Sequence, residues 1–317
     1  MWAFIIRKLV YNIPVYLAII MLLMFLLRQR DPVAGKLGKD TSDEAYNSLL
    51  EEYELDKPFL VQYGTLLGSI FTLNFDRETW TEPGVTVGEK LLIAVPRSLA
   101  LTLPALAITT TISIFIAMLS AYYRGRWIDR LLVFFAVLGM SISFLVYIIF
   151  GQYFGAYKLQ QWVGSPVFSI HGYESGLLNW PFFMLLPVLI SVIVAMGYDT
   201  RFYRAVMVEE TQADYITTAR AKGAPQSKVM FVHMLRNAMI PIITRVMITL
   251  PFLVTGSILL EEFFGIPGMG YVLLSAIRND DFPVVEGFTA VFAGLFILSI
   301  IATDILYAVF DPRVRLQ

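Results

Sequence analysis

The sequence predicts an all-α membrane protein with six transmembrane helices. The prediction rests on its composition and on the length of its apolar runs. Of 317 residues, 57% are hydrophobic and 15% are charged, and the mean hydropathy is +0.67. Soluble domains contain about 45–50% apolar and about 25% charged residues. A helix needs about 20 mostly apolar residues to cross the hydrocarbon core of a bilayer. The composition therefore excludes a water-soluble globular protein.

Six runs are long enough to span a membrane. Four carry no charge, and each of the last two carries one: 9–27, 98–123, 131–157, 175–198, 237–260 with Arg245, and 287–310 with Asp304. The first run is too long for a signal peptide and has no small-residue cleavage site after it, so it is expected to remain as a span. Charges within spans are costly and often functional. Arg245 and Asp304 could instead be structural, by reaching towards the interface or by pairing with each other.

The distribution of Lys and Arg predicts that both termini are cytoplasmic, because cytoplasmic segments are enriched in these residues. On this orientation the two short external loops carry only Lys158 and Arg278. Residues 1–27 then form the N-terminus and the first span, and residues 28–97 form an external segment, expected to fold as short helices. Residues 98–317 form the transmembrane domain with spans 2–6, including a cytoplasmic loop at 199–240.

The cytoplasmic loop predicts a helix, a tight turn and a second helix. A helix is expected over 209–222, because Glu209 and Glu210 suit a first turn and the following residues are good helix formers. Gly223 supplies a left-handed stop and Pro225 prevents continuation. A second helix is expected from about Ser227. This pattern alone fits either a connecting loop or a rigid element that docks on a partner.

The order of motifs along the chain resembles that of ABC (ATP-binding cassette) importer permeases of the peptide/nickel branch. The loop is similar to the family's EAA loop, and the resemblance continues through the E-x-x-F-x-x-P-G-x-G stretch and the last span, with looser matches near the N-terminus. The matching residues are Glu209, Asp214, Tyr215, Thr218–Gly223, His233, Arg236, Asn237 and Pro241, then Glu261, Phe264, Pro267–Gly270, Ala276, Asp281, Pro283–Val285, Asp304, Tyr307 and Asp311–Arg313, with Asp31–Pro32, Leu55–Pro58 and Gln62–Tyr63 upstream.

The resemblance implies a type I ABC importer permease fold and a pore-forming, non-catalytic subunit of the bacterial plasma membrane. The implied partners are a second homologous permease subunit, two cytoplasmic ATPase subunits and an external solute-binding protein. The chain has no G-x-x-x-x-G-K-[ST] loop, so ATP and Mg²⁺ are expected on the partner ATPases. The residues implied in ATPase coupling are Glu209, Asp214, Tyr215, Ala219, Arg220, Ala221, Lys222 and Gly223, with Ala219 and Ala221 allowing close approach. No substrate-binding residue is implied.

Peptides or peptide-like solutes are the expected cargo, and nickel complexes are the alternative within the family. An ion-coupled secondary transporter would show carboxylates at the bilayer centre and an inverted repeat, and an intramembrane enzyme would show a catalytic constellation. Neither pattern is visible. No metal site is expected, because His171 and His233 are predicted on opposite sides of the membrane. A net charge of −1 gives no indication of nucleic-acid binding.

Overall fold

The computed structural model describes residues 2–29, 33, 43–52, 55–254 and 257–310, and within these ranges the regular elements are helices. The prediction of an all-α protein is confirmed. The helices are α1 Trp2–Leu27, α2 Asp43–Glu52, α3 Phe59–Thr72, α4 Val87–Tyr122, α5 Trp127–Ser141, α6 Phe144–Val163, α7 Trp180–Glu210, α8 Asp214–Ala221, α9 Leu235–Val254, α10 Ile258–Phe264, α11 Met269–Arg278 and α12 Phe282–Phe310. Helix α6 is π-helical over Gly151–Lys158, and α9 is preceded by Gln226–Lys228 and π-helical Val229–Met234.

Among the described residues, five helices are long and apolar enough to cross a membrane: α1, α4, α7, α9 with its leading turns, and α12. Two bent pairs could each supply one more span. Helices α5 and α6 meet at 94°, and α10 and α11 meet at 78°. The predicted six spans lie within this range of five to seven, and the number of spans and the orientation of the termini stay predictions.

The third predicted span is not one straight helix. The apolar run 131–157 is divided between α5 and α6, because Ile142 and Ser143 adopt extended backbone with ψ of 135° and 141°. Hydropathy does not reveal such a break, since the residues on both sides are equally apolar. The second span is also longer than predicted: α4 begins at Val87, where Thr86 and Glu89 form a reciprocal capping box.

The long helices pack into one bundle with two distinguishable ends. Helix α7 packs against α4 and α5, and α12 packs against α1, α9 and α11. We call the end that carries residues 211–225 the loop end. The opposite end, which carries residues 73–86 and 265–268, is called the far end. A buried apolar cluster lies at each end, and a third lies between α4, α6, α7 and α10.

At the far end, the segment before α4 is fixed to the start of α12. The Asp281 carboxylate is 1% exposed and accepts hydrogen bonds from the Trp80 and Thr81 backbone N–H groups at 3.1 and 3.2 Å and from the Thr81 hydroxyl at 2.6 Å. The Trp80 ring lies against the Phe282 ring, with centroids 5.4 Å apart. The residues just before α4 therefore pack on the bundle, and the assignment of residues 28–97 to an external segment stays a prediction.

Candidate functional site

The turn that the sequence places at Gly223 is present at the loop end. Gly223 has φ +76°, the left-handed region, and its N–H donates to the Arg220 carbonyl at 2.9 Å. Pro225 then caps the next helix. A glycine is suited to this φ because it has no Cβ. The predicted helix–turn–helix order is confirmed.

The start of the first helix was predicted wrongly. Glu209 and Glu210 are the last two residues of α7, and α8 begins only at Asp214. Residues 211–213 form a turn, since Ala213 is extended with ψ 145°. Glutamate is a good helix former at either end of this turn, so residue preference could not assign the two glutamates to the correct helix. The element after α7 is therefore a compact eight-residue helix rather than a helix over 209–222.

Helix α8 is fixed to the bundle through one buried face. Ile216 is 1% exposed and Ala219 is 8% exposed, and both belong to a core cluster at the loop end. The rest of that cluster comes from α4, α7 and the start of the α9 helix, and comprises Ala117, Met118, Ala121, Tyr203, Met207, Val229, Met234, Ala238 and Ile242. The expectation that Ala219 permits close approach of a partner is wrong, because Ala219 packs against its own chain.

The opposite face of α8 is exposed and polar. Most of the residues expected in coupling are exposed on α8 or in the turn after it: Asp214, Tyr215, Arg220, Ala221, Lys222 and Gly223, with Glu209 exposed nearby on α7. The Tyr215 hydroxyl donates to the Glu210 carboxylate. Partial burial, together with the neighbouring negative charge of Glu210, raises the pKa of Tyr215 to about 12. Tyr215 therefore stays neutral at physiological pH and ties α8 to the end of α7.

Before α8 begins, a buried ion pair joins α7 to the first turn of α5. Arg204 donates through Nε and Nη2 to the two oxygens of Asp129, each at 2.8 Å. The Asp129 carboxylate also accepts from the Ser120 hydroxyl and from the Gly125 N–H at 2.9 Å. We call this group the Asp129 clamp. Nothing in the sequence singled it out, because the pair is separated by 75 residues and Asp129 stands among basic residues at the start of α5.

At the far end, the E-x-x-F-x-x-P-G-x-G stretch builds a buried carboxylate site. Glu261 is fully buried, accepts from the Ser98 hydroxyl at 2.6 Å and accepts from the Tyr271 N–H at 3.0 Å at the start of α11. A Cβ on Gly268 would lie 2.6 Å from the Glu261 carboxyl carbon and from Ser98 Oγ. The glycine therefore leaves space for a carboxylate that holds α4, α10 and α11 together, which is a structural role.

The two charges within the last predicted spans do not pair with each other. Arg245 Nε lies 3.4 Å from Asp199 Oδ1 on α7, and Asp304 Oδ2 lies 2.8 Å from Lys8 Nζ on α1. The interpretation of a mutual ion pair is thus wrong. Asp199 was not anticipated as a partner, because the predicted fourth span ended at residue 198 whereas α7 continues to Glu210.

The two histidines lie apart. His171 Nδ1 lies 3.2 Å from the Phe263 carbonyl oxygen near the far end, and His233 lies in the π-helical turn before α9. Within the described ranges no three His, Asp or Glu side chains converge as a metal site. The matched residues Asp31–Pro32 and Asp311–Arg313 lie outside the described residues.

Residues 113–316 match the family described as "Binding-protein-dependent transport system inner membrane component". The chain belongs to this family. A putative peptide transport system permease of Brucella abortus is 33% identical over 99% of both chains. A dipeptide transport system permease of Lactococcus lactis is 32% identical over 95% of both. A probable D,D-dipeptide transport system permease of Escherichia coli is 31% identical, over 90% of this chain and 88% of the relative. This permease is thus an ABC importer component and a multi-pass protein of the bacterial inner membrane.

Proposed function

We propose that this permease forms half of the pathway of an ATP-driven importer for peptides or peptide-like solutes. A second permease subunit completes the pathway, two cytoplasmic ATPase subunits drive it, and an external binding protein delivers the solute. Both termini and the loop end face the cytoplasm. Alternating access follows when ATP binding moves α8 and the attached spans rock with it.

The observation that carries the coupling role is the two-sided character of α8. Its inner face is packed into a core shared by α4, α7 and the α9 helix, while its outer face presents charged residues to the surface. A force applied to the outer face is transmitted to three long helices, because close-packed interiors move as units rather than deforming. The Asp129 clamp extends this unit to α5. Glu209, Asp214, Arg220 and Lys222 supply charges of both signs for a complementary groove on the ATPase.

Peptides are preferred as cargo because several relatives that align over nearly the whole chain are named as peptide or dipeptide permeases. Nickel complexes remain the alternative within the same branch. A transport assay separates the two directly. The reconstituted complex is offered either a labelled dipeptide or a nickel chelate, and the uptake of the two solutes is compared.

The coupling role is tested by substituting the turn glycine. Gly223→Pro removes an N–H that donates at 2.9 Å and forces φ from +76° to about −65°. Gly164 is a matched control: its φ is +80° and its N–H also donates at 2.9 Å, to Gln160. A Cβ at either glycine has no atom within 4 Å.

Both substitutions cost similar backbone strain, so they differ mainly in location. In proteoliposomes that contain the whole complex, Gly223→Pro is expected to abolish ATP-dependent peptide uptake while the chain still inserts and assembles. Gly164→Pro is expected to retain most of the uptake. Normal uptake by Gly223→Pro, or equal loss in both variants, would remove the coupling role from this turn.

A further inference from the structure

A second ion pair in the bundle, Asp199 with Arg245, is built unlike the Asp129 clamp. Arg245 makes one Nε–Oδ1 contact at 3.4 Å and lies over the Phe202 ring at 5.8 Å. The Arg204–Asp129 pair has two contacts at 2.8 Å and two further donors on the carboxylate. The same chain thus contains one tightly satisfied pair and one loose pair. A loose, single-contact pair leaves most of the guanidinium fork available for another acceptor.

The loose pair lies between the two ends of the bundle. Asp199 is about 28 Å along α7 from its start at Trp180 and about 16 Å from its end at Glu210, at 1.5 Å per residue. At this depth the Arg245 side chain is 38% exposed on the surface of this chain, whereas that of Asp199 is 11% exposed. A charged group within a span faces a water-filled cavity or another protein surface rather than lipid, because exposure to hydrocarbon is costly. Arg245 therefore marks a face of the chain that lines a polar space or meets another protein surface rather than lipid.

Buried hydroxyl groups lie near Asp199, on α7 and on α4. Tyr203, one turn after Asp199, is fully buried, and its hydroxyl lies beside Thr110 of α4. The Tyr203 and Thr110 hydroxyls are each other's neighbours in this buried region, and neither has another partner in the described part of the chain. Buried polar groups are almost always hydrogen-bonded, to protein or to ordered water. The two hydroxyls therefore add polar groups to the interior of the bundle next to Asp199.

We propose that Asp199 and Arg245 form a solute-binding site in the pathway that takes the charged ends of a peptide. The Arg245 guanidinium binds the α-carboxylate, since its planar fork matches a carboxylate with two hydrogen bonds. The Asp199 carboxylate binds the α-ammonium group. In the empty state the two side chains neutralise each other through their one contact, and the solute replaces that contact with its own opposite charges. This site rests on the proposed function, because it requires that the cargo is a peptide with free ends.

The test uses the whole complex in proteoliposomes, with dialanine, its C-terminal amide and its N-acetyl derivative as solutes. Each variant is compared with the wild type for the same solute, so that the preference of the binding protein cancels. Arg245→Gln is expected to slow dialanine uptake about tenfold, which corresponds to about 1.4 kcal/mol, and to affect the amide much less, since a hydrogen bond to a charged group is stronger than one to a neutral group. Asp199→Asn is expected to discriminate in the same way between dialanine and its N-acetyl derivative. Arg278→Gln, which removes a far-end charge paired with Glu262, is expected to change no ratio.

A second measurement tests the site if a variant assembles poorly, or if the binding protein does not deliver the blocked peptides. The chain has no cysteine, so Ile248→Cys places a single thiol one turn from Arg245 at an exposed position. A charged methanethiosulfonate reagent is expected to label it, and dialanine is expected to slow labelling at least threefold only while Arg245 is present.

The two proposals fail differently. Absence of ATP-dependent uptake of every peptide by the wild type would contradict the proposed function. Wild-type uptake with equal losses for all three solutes in Arg245→Gln, or with no loss, would overturn the solute site and leave the pair a structural contact. Failure of the charged reagent to label position 248, or labelling that dialanine does not slow, would also overturn it.

Discussion

Removal of Arg204 offers the sharpest test of the structural part of the coupling model. Arg204→Gln deletes both 2.8 Å contacts to Asp129 and leaves that carboxylate, whose side chain is 5% exposed, with only Ser120 and Gly125 as donors. Breaking one partner of a buried pair costs about 3–5 kcal/mol, because a charge is left uncompensated. The Arg204 side chain is 27% exposed, so water can partly replace it, and we expect a loss of about 2–3 kcal/mol in the free energy of unfolding.

The loss is measurable as a shift of the thermal unfolding midpoint in detergent. At about 2 °C per kcal/mol for a large chain, the midpoint should fall by about 4–6 °C. Arg278→Gln is a matched control, since Arg278 pairs with Glu262 but is 60% exposed, and exposed pairs contribute less than about 1 kcal/mol. Asp129→Asn should destabilise as much as Arg204→Gln, and the double variant should lose little more than either. Equal small shifts for Arg204→Gln and Arg278→Gln would refute the reasoning.

Three further predictions concern the loop end and the Glu261 site. Gly268→Ala places a Cβ 2.6 Å from the Glu261 carboxyl carbon and should cost about 1–3 kcal/mol by overpacking. Gly64→Ala, within α3 and with no neighbour inside 4 Å, should stabilise by up to about 1 kcal/mol, and a reversed order of unfolding midpoints would contradict the packing. Ile216→Ala should cost about 2–4 kcal/mol and lower the uptake per ATP hydrolysed, whereas unchanged coupling would show that the buried face of α8 carries no force. Tyr215→Phe removes the hydroxyl that donates to Glu210. The pKa of Tyr215 is raised to about 12, so the stability advantage of wild type over Tyr215→Phe should be complete below about pH 10 and disappear as the pH rises through about 12. An advantage that grows with pH over this interval would refute the assignment.

Patterns local in sequence predicted the helices well and their ends poorly. Apolar runs located the long helices, since hydropathy reports the thickness of the hydrocarbon core. They did not report where a helix continues beyond it: α7 carries Arg204 in helical backbone and extends as far as Glu210. The break at Ile142 was also invisible, because its neighbours on both sides are equally apolar.

The turn at the loop end was predictable because a left-handed glycine followed two residues later by proline is a local signal. The division of α8 into a buried and an exposed face was not, since Ala219 and Ala221 are the same residue type and only the packing of α4 and α7 distinguishes them. The Asp129 clamp and the Asp199–Arg245 pair connect residues that are 75 and 46 positions apart. Contacts at such separation depend on the fold and leave no spacing pattern in a single sequence.

The central claim is that a separate ATPase moves this permease through the exposed face of α8. A single cysteine at Ala221, on a chain that otherwise has none, allows cross-linking to the ATPase subunit in the complete complex. Cross-linking is expected at position 221, and it should stop peptide uptake without stopping the binding of ATP. Peptide uptake at the full rate by the permease pair and binding protein with the ATPase subunits absent would contradict the claim directly.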